Sequence, residues 1–209
     1  MTPETLRIYL AHAIKPGTPP ATQVRIEMHG QIRLGRWWPF KAYEVLRRSG
    51  DFVWAATVKV YGLPIRGEDR LENGSASMNW RLFGLFPVVS ASGPDVTRSA
   101  QGRAAGELVA WLPSAIEGAG EPIAAMIAQA RLTLNPEGRL RSLVLRRWGR
   151  PAGEKQHAEL DFGIFAGEER TFGGYTIPTR IRAGWHFGSP RFEREGEFFQ
   201  ATVDRAVYR

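Results

Sequence analysis

Two carboxylates stand at positions where a strand or helix ordinarily carries an apolar residue. Asp69 shares its strand parity with Ile65 and Leu71, so its side chain is expected on the apolar side of the strand, where a carboxylate is costly unless a donor meets it. Glu107 lies at the edge of a helical apolar stripe, four residues after Arg103 and one turn before Trp111. Two readings compete. In the commoner one, each acid has a structural partner, and an Arg103–Glu107 pair contributes only about 0.2–0.5 kcal/mol. In the sharper one, Asp69 and Glu107 share one polar spot beneath the helix, where they contact a ligand or, at a defined separation, act as a general acid and base.

The seven tryptophans are the second chemical feature. Trp54, Trp80 and Trp185 occupy apolar positions of alternating strands, and Trp111 belongs to the helix that carries Glu107. Large aromatics on a concave sheet suit acyl chains or another bulky apolar ligand. The same residues are ordinary core if their own side chains fill the interior. A cavity is what separates the two readings.

Other chemistries find little support. His12, His29, His157 and His186 are scattered, and the last three fall on the polar parity of strands. None has metal-site spacing. The chain contains no cysteine, which removes disulfides, thiolate metal sites and cysteine nucleophiles. There is no G-x-S-x-G, P-loop or dinucleotide fingerprint, and Gly173-Gly174 reads as a turn. No cofactor is expected.

These residues need elements to position them. Thr2 as cap, Pro3 at the first helical position, and Leu6, Leu10, Ala13 and Ile14 on one stripe predict an N-terminal helix, stopped by Lys15-Pro16-Gly17. From Val24 to Leu34 apolar and polar residues alternate, and Phe52 to Val60 repeats the pattern. Asn73-Gly74 predicts a hairpin between strands around Leu71 and Ala76. Between residues 97 and 116 the period returns to 3.6, with Ala105, Leu108, Leu112 and Ala115 on one face. Residues 121–129 suit either a further helical turn or the approach to a strand. The second half is again sheet, through Leu140–Trp148, Ala158–Ile164, Ile181–Phe187 and Arg191–Tyr208. Short connections between sequential strands argue for an antiparallel meander.

The expected fold is therefore mainly β (α+β): a curled antiparallel sheet or half-barrel of about ten strands, with the N-terminal helix and the central helix packed on its concave face. Its 209 residues and 43% hydrophobic content suit a single domain over 1–209, with helix and linker at 1–22 and the curled sheet with central helix 97–116 over 23–209. The net charge of +7 comes from 24 arginines and 4 lysines, single or paired along the chain, which reads as a solvated basic face. Nucleic acid is a poor fit to that dispersion, whereas an anionic membrane surface is a candidate partner. With no export signal visible and no apolar run of about 20 residues, a cytoplasmic location is expected.

Trp38-Pro39-Phe40-Lys41-Ala42, Phe52-Val53-Trp54-Ala55-Ala56, then Asp69, Gly74 and Met78, and finally Gly106-Glu107 leading to Trp111-Leu112-Pro113, resemble a bacterial family catalogued as a domain of unknown function. The likeness spans roughly residues 5–208. It departs around 117–130, where the family has a tryptophan and an acidic residue before the next strand. More distantly, the order of elements resembles the half-barrel of periplasmic lipoprotein carriers, which implies a curled sheet around an apolar cavity closed by helices. The expected function is non-catalytic binding or transport of an apolar, lipid-like ligand, lined by Phe40, Trp54, Trp80, Trp111 and Trp185 with Asp69 and Glu107 as polar contacts. The alternatives are an interaction module that uses its basic surface, and a carboxylate enzyme.

Overall fold

A computed structural model describes all residues 1–209. Helix α1 (Pro3–Ala13) begins as its residues dictate: the Thr2 hydroxyl accepts a hydrogen bond from Thr5 N, and Pro3 occupies the first turn, where its missing N–H is no loss. The chain then makes a six-strand meander, β1 (Gln23–Leu34), β2 (Arg36–Arg47), β3 (Phe52–Val60), β4 (Leu63–Glu72), β5 (Ser75–Leu82) and β6 (Phe86–Ser92). Helices α2 (Pro94–Trp111) and α3 (Ile123–Gln129) follow, joined by a 3₁₀ turn over Pro113–Gly118. The second half supplies β7 (Arg131–Leu134), β8 (Leu140–Gly149), β9 (Ala158–Ala166), β10 (Glu169–Phe172), β11 (Tyr175–Pro178), β12 (Arg180–Trp185) and β13 (Glu197–Tyr208).

One sheet unites both halves. Its eleven strands run β6-β5-β4-β3-β2-β1-β13-β12-β9-β8-β7, while β10 and β11 form a separate hairpin. Every neighbouring pair is antiparallel. The sheet stays open, with β6 and β7 as its edges. Strand β2 was not anticipated, because Pro39 interrupts its pattern and proline is rare inside a sheet. Pro39 is accommodated because β3 pairs with β2 only from Phe40 onward.

The central helix is displaced from residues 97–116. It starts earlier, with Pro94 in its first turn, and ends at Trp111. Pro113 lacks an N–H, and its ring would collide with the carbonyl of Val109, so the chain tightens into the 3₁₀ turn. The undecided stretch 121–129 is largely α3.

Helix α2 crosses the concave face on a strip of small residues. A Cβ on Gly106 would already touch Leu145, Ile164 and Leu143, so Gly102, Ala105 and Gly106 let the helix lie close to β8 and β9. Helix α1 packs behind it, with the Tyr9 hydroxyl donating to Val109 O at 2.5 Å. Tyr9, Ala13, Tyr175 and Ile177 are fully buried there, which closes one end of the trough. No helix is long and apolar enough to cross a membrane.

Candidate functional site

The interior between α2 and the sheet is not filled by side chains. A cavity of about 690 Å³ remains, walled by aromatics that include Phe52, Trp54, Phe162, Trp185 and Phe199. Strand alternation places wall residues on β3 and β12: Phe52 and Trp54 are two residues apart on β3, and Ala183 and Trp185 repeat that spacing on β12. Trp54 meets Phe199 at 6.2 Å between ring centroids, and Trp185 meets Phe162 edge-on at 5.3 Å. A larger trough of about 870 Å³ around Arg25, His29, Lys41, Tyr43, Thr57 and Arg66 is an open depression on the outer face of the sheet.

A polar cluster forms part of the cavity wall, with Arg103 of α2 at its centre. Its guanidinium donates to Glu107 Oε1 at 2.6 Å, Glu44 Oε1 at 3.2 Å and Asp69 Oδ2 at 3.3 Å. The second Asp69 oxygen accepts from Trp80 Nε1 at 2.9 Å. Burial disfavours the charge of Arg103, but Glu107, Glu44 and Asp69 outweigh it and hold the guanidinium protonated. Glu44 is fully buried, and burial first, then the facing Glu107, push its pKa well above the ordinary carboxylate range. Asp69 is raised by burial against the opposing pull of Arg103. Glu44 Oε2, Glu107 Oε2, Trp54 Nε1 and Trp111 Nε1 find no hydrogen-bond partner within the protein.

Arg147 of β8 also lines the cavity. It donates to Ser99 O at 3.1 Å and Ser99 Oγ at 3.4 Å, and its guanidinium lies over the rings of Phe162 and Trp185 at 4.6 and 5.1 Å. Burial, and then the charge of Arg103, lower its pKa. Arginine nonetheless stays protonated in proteins, so it is a cation with no carboxylate bound to it.

Of the residues expected to meet a ligand, Trp54, Asp69, Glu107, Trp111 and Trp185 line the cavity. Phe40 and Trp80 stand behind it: Phe40 stacks on Phe199 at 5.2 Å, and Trp80 packs against Trp54 at 5.6 Å. Glu44 and Arg147 were missed. Both could have been found by parity, since Glu44 alternates in register with Phe40 and Leu46, and Arg147 with Leu143 and Leu145. The expectation that the arginines form a solvated face fails for Arg103 and Arg147, which turn inward because strand and helix geometry place them over the carboxylates and aromatic rings.

No curated protein matches the sequence. Among solved structures, the chain is similar to a LolA superfamily protein from Nitrosomonas europaea, with 9% identity and a TM-score of 0.45, covering 99% of this chain and 92% of the other. It is also similar to a domain assigned to outer membrane lipoprotein sorting from Vibrio parahaemolyticus, with 6% identity, a TM-score of 0.37 and coverage of 99% and 91%. Beside that likeness the cytoplasmic location expected for this chain is withdrawn, since where a given sequence begins does not define a compartment. Residues 119–208 match a second family of unknown function, DUF6920. Residues 2–120, more than half of the sequence, match the first, and the chain thus belongs to the family of unknown function DUF6544.

Proposed function

We propose that the protein binds an apolar, lipid-like ligand between α2 and the concave face of the sheet, without catalysing a reaction on it. The observation that carries this reading is the cavity itself, about 690 Å³ and walled by aromatic rings, a size and lining suited to a small ligand or an acyl chain. The polar cluster supports binding over catalysis, because one cation, Arg103, bridges all three nearby acids. Arg147, a cation on the cavity wall without a carboxylate partner, suits a ligand with an acidic head.

Purified protein extracted with organic solvent should yield a bound amphiphile by mass spectrometry. Ala100→Phe, which projects a ring from α2 into the cavity, should abolish recovery while leaving the fold intact. Arg147→Met should weaken binding of a long-chain fatty acid at least about tenfold, as expected for a charge-assisted hydrogen bond of ~1.5–3 kcal/mol, and change binding of the matching fatty alcohol little. Extracts with no apolar molecule above background, or equal recovery from Ala100→Phe, would count against the reading.

A further inference from the structure

Three hairpin turns lie at the same edge of the meander: β1–β2 at Leu34-Gly35, β3–β4 at Tyr61-Gly62 and β5–β6 at Phe83–Leu85. Their apolar side chains face solvent, with Leu34 56%, Tyr61 74%, Leu63 47%, Phe83 48%, Leu85 70% and Phe86 63% exposed. The turns are held together, since Tyr61 packs edge-on against Trp38 at 4.6 Å and Phe83 N donates to Pro64 O at 2.9 Å.

The backbone adds an independent sign. Tyr61 and Phe83 both have left-handed φ values, 49° and 54°, each followed by a glycine that is also positive. That conformation favours asparagine and penalises bulky side chains. At the opposite edge the β4–β5 turn has the same pair of consecutive positive φ values and uses the ordinary choice, Asn73-Gly74. Aromatic rings therefore occupy the two tips at a cost to the fold that the third turn avoids.

Charge completes the pattern. Residues 28–43, 52–67 and 73–94 contain no Asp or Glu. Arg36, Lys59, Arg66 and Arg81 are exposed around the tips, and no carboxylate pairs with any of the four. Separate apolar tips backed by unpaired cations match the layering of a bilayer surface, with acyl chains beneath anionic headgroups. A flat protein partner offers no such layering. The cavity reaches this edge, because Arg33, Leu34 and Gly35 of the first turn also line it.

We infer that this edge docks on a lipid bilayer containing anionic headgroups, with Tyr61, Leu63, Phe83, Leu85 and Phe86 entering the interface and Arg36, Lys59, Arg66 and Arg81 meeting the headgroups. None of these docking residues lines the ligand cavity, so either can fail alone.

The test is sedimentation of the full chain with vesicles of phosphatidylcholine, alone or mixed with phosphatidylglycerol. Wild type should co-sediment with the mixed vesicles, bind the neutral ones weakly and lose affinity as salt rises. Each of Arg36→Gln, Lys59→Gln and Arg81→Gln should lower partitioning roughly fivefold. Tyr61→Asn combined with Phe83→Asn should reduce binding at least as much while the melting temperature stays level or rises, which a merely structural role for these rings would not allow. Absence of co-sedimentation, or undiminished binding by the double variant, would overturn the inference. So would a wild-type dimer by sedimentation velocity that Leu85→Ser and Phe86→Ser dissociate, because a second copy along the exposed β6 edge would then be the occupant.

Discussion

Arg103 is the residue on which the polar wall depends. It answers three carboxylates, one of them on α2 beside it and two on strands of the sheet, and so ties helix to sheet. Replacing it with methionine leaves those acids buried without their cation, and Arg103→Met should destabilise the protein by about 3–5 kcal/mol near neutral pH, measured by denaturant unfolding. The loss should shrink in acid, where the freed carboxylates protonate. Two buried glutamates should respond to pH in opposite directions. Glu44 has a folded pKa raised above 4.5, so the stability of its protonated form is full below that value and is lost as pH rises through the folded pKa. Glu197 has a folded pKa below 4.5: burial raises it, but hydrogen bonds from Arg182 at 2.8 and 2.6 Å and from Gln200 at 2.8 Å prevail. Its contribution is present above 4.5 and lost as pH falls through the folded value. Glu44→Gln should therefore flatten the decline in melting temperature on the alkaline side, and Glu197→Gln the decline on the acid side. Asp69 and Glu107 were legible from parity and helical spacing. The Arg103–Glu107 pair was legible too, but not that the same guanidinium also holds Asp69 and Glu44, because an i,i+4 pair in sequence does not say which strand residues reach it.

At the scale of elements, alternation located the strands that face the cavity, and the helical period located α2. Less was legible where a local rule is broken for a nonlocal reason. Pro39 hid β2, and with it Glu44, because only the pairing of β3 shows why a proline is harmless there. Pro113 moved the end of α2, since three apolar residues beyond Trp111 keep the period while the missing N–H stops the helix. Gly67 shows how tightly the strands support the site. A Cβ there would meet Asn79 O, lie 2.5 Å from Trp80 Cδ2 and 2.7 Å from Trp80 Cα. Trp80 holds Asp69 in place, so Gly67→Ala should separate β4 from β5 and cost about 1–3 kcal/mol, read by chemical denaturation. A change within 0.5 kcal/mol, about what an unconstrained surface position shows, would mean that the two strands have more slack than this packing implies.

Across the whole molecule the two ends of the trough differ. One is sealed by α1 and the β10–β11 hairpin around Tyr9 and Tyr175, where the Tyr175 hydroxyl donates to Pro19 O and accepts from Ala21 N. The other carries exposed apolar turns and unpaired cations next to residues that line the cavity. Curvature of the sheet was legible as a large apolar face needing a cover, but the interior volume was not, since the same tryptophans could have filled it. Whether that space accepts a ligand is tested most directly by tryptophan fluorescence during titration with a bromine-labelled fatty acid, whose heavy atoms quench only rings they contact. Binding inside the trough predicts saturable quenching at one equivalent, shared by Trp54 and Trp185 and weakened when either is replaced by phenylalanine. Quenching that grows linearly without saturating, or that is unchanged in both replacements, would contradict it.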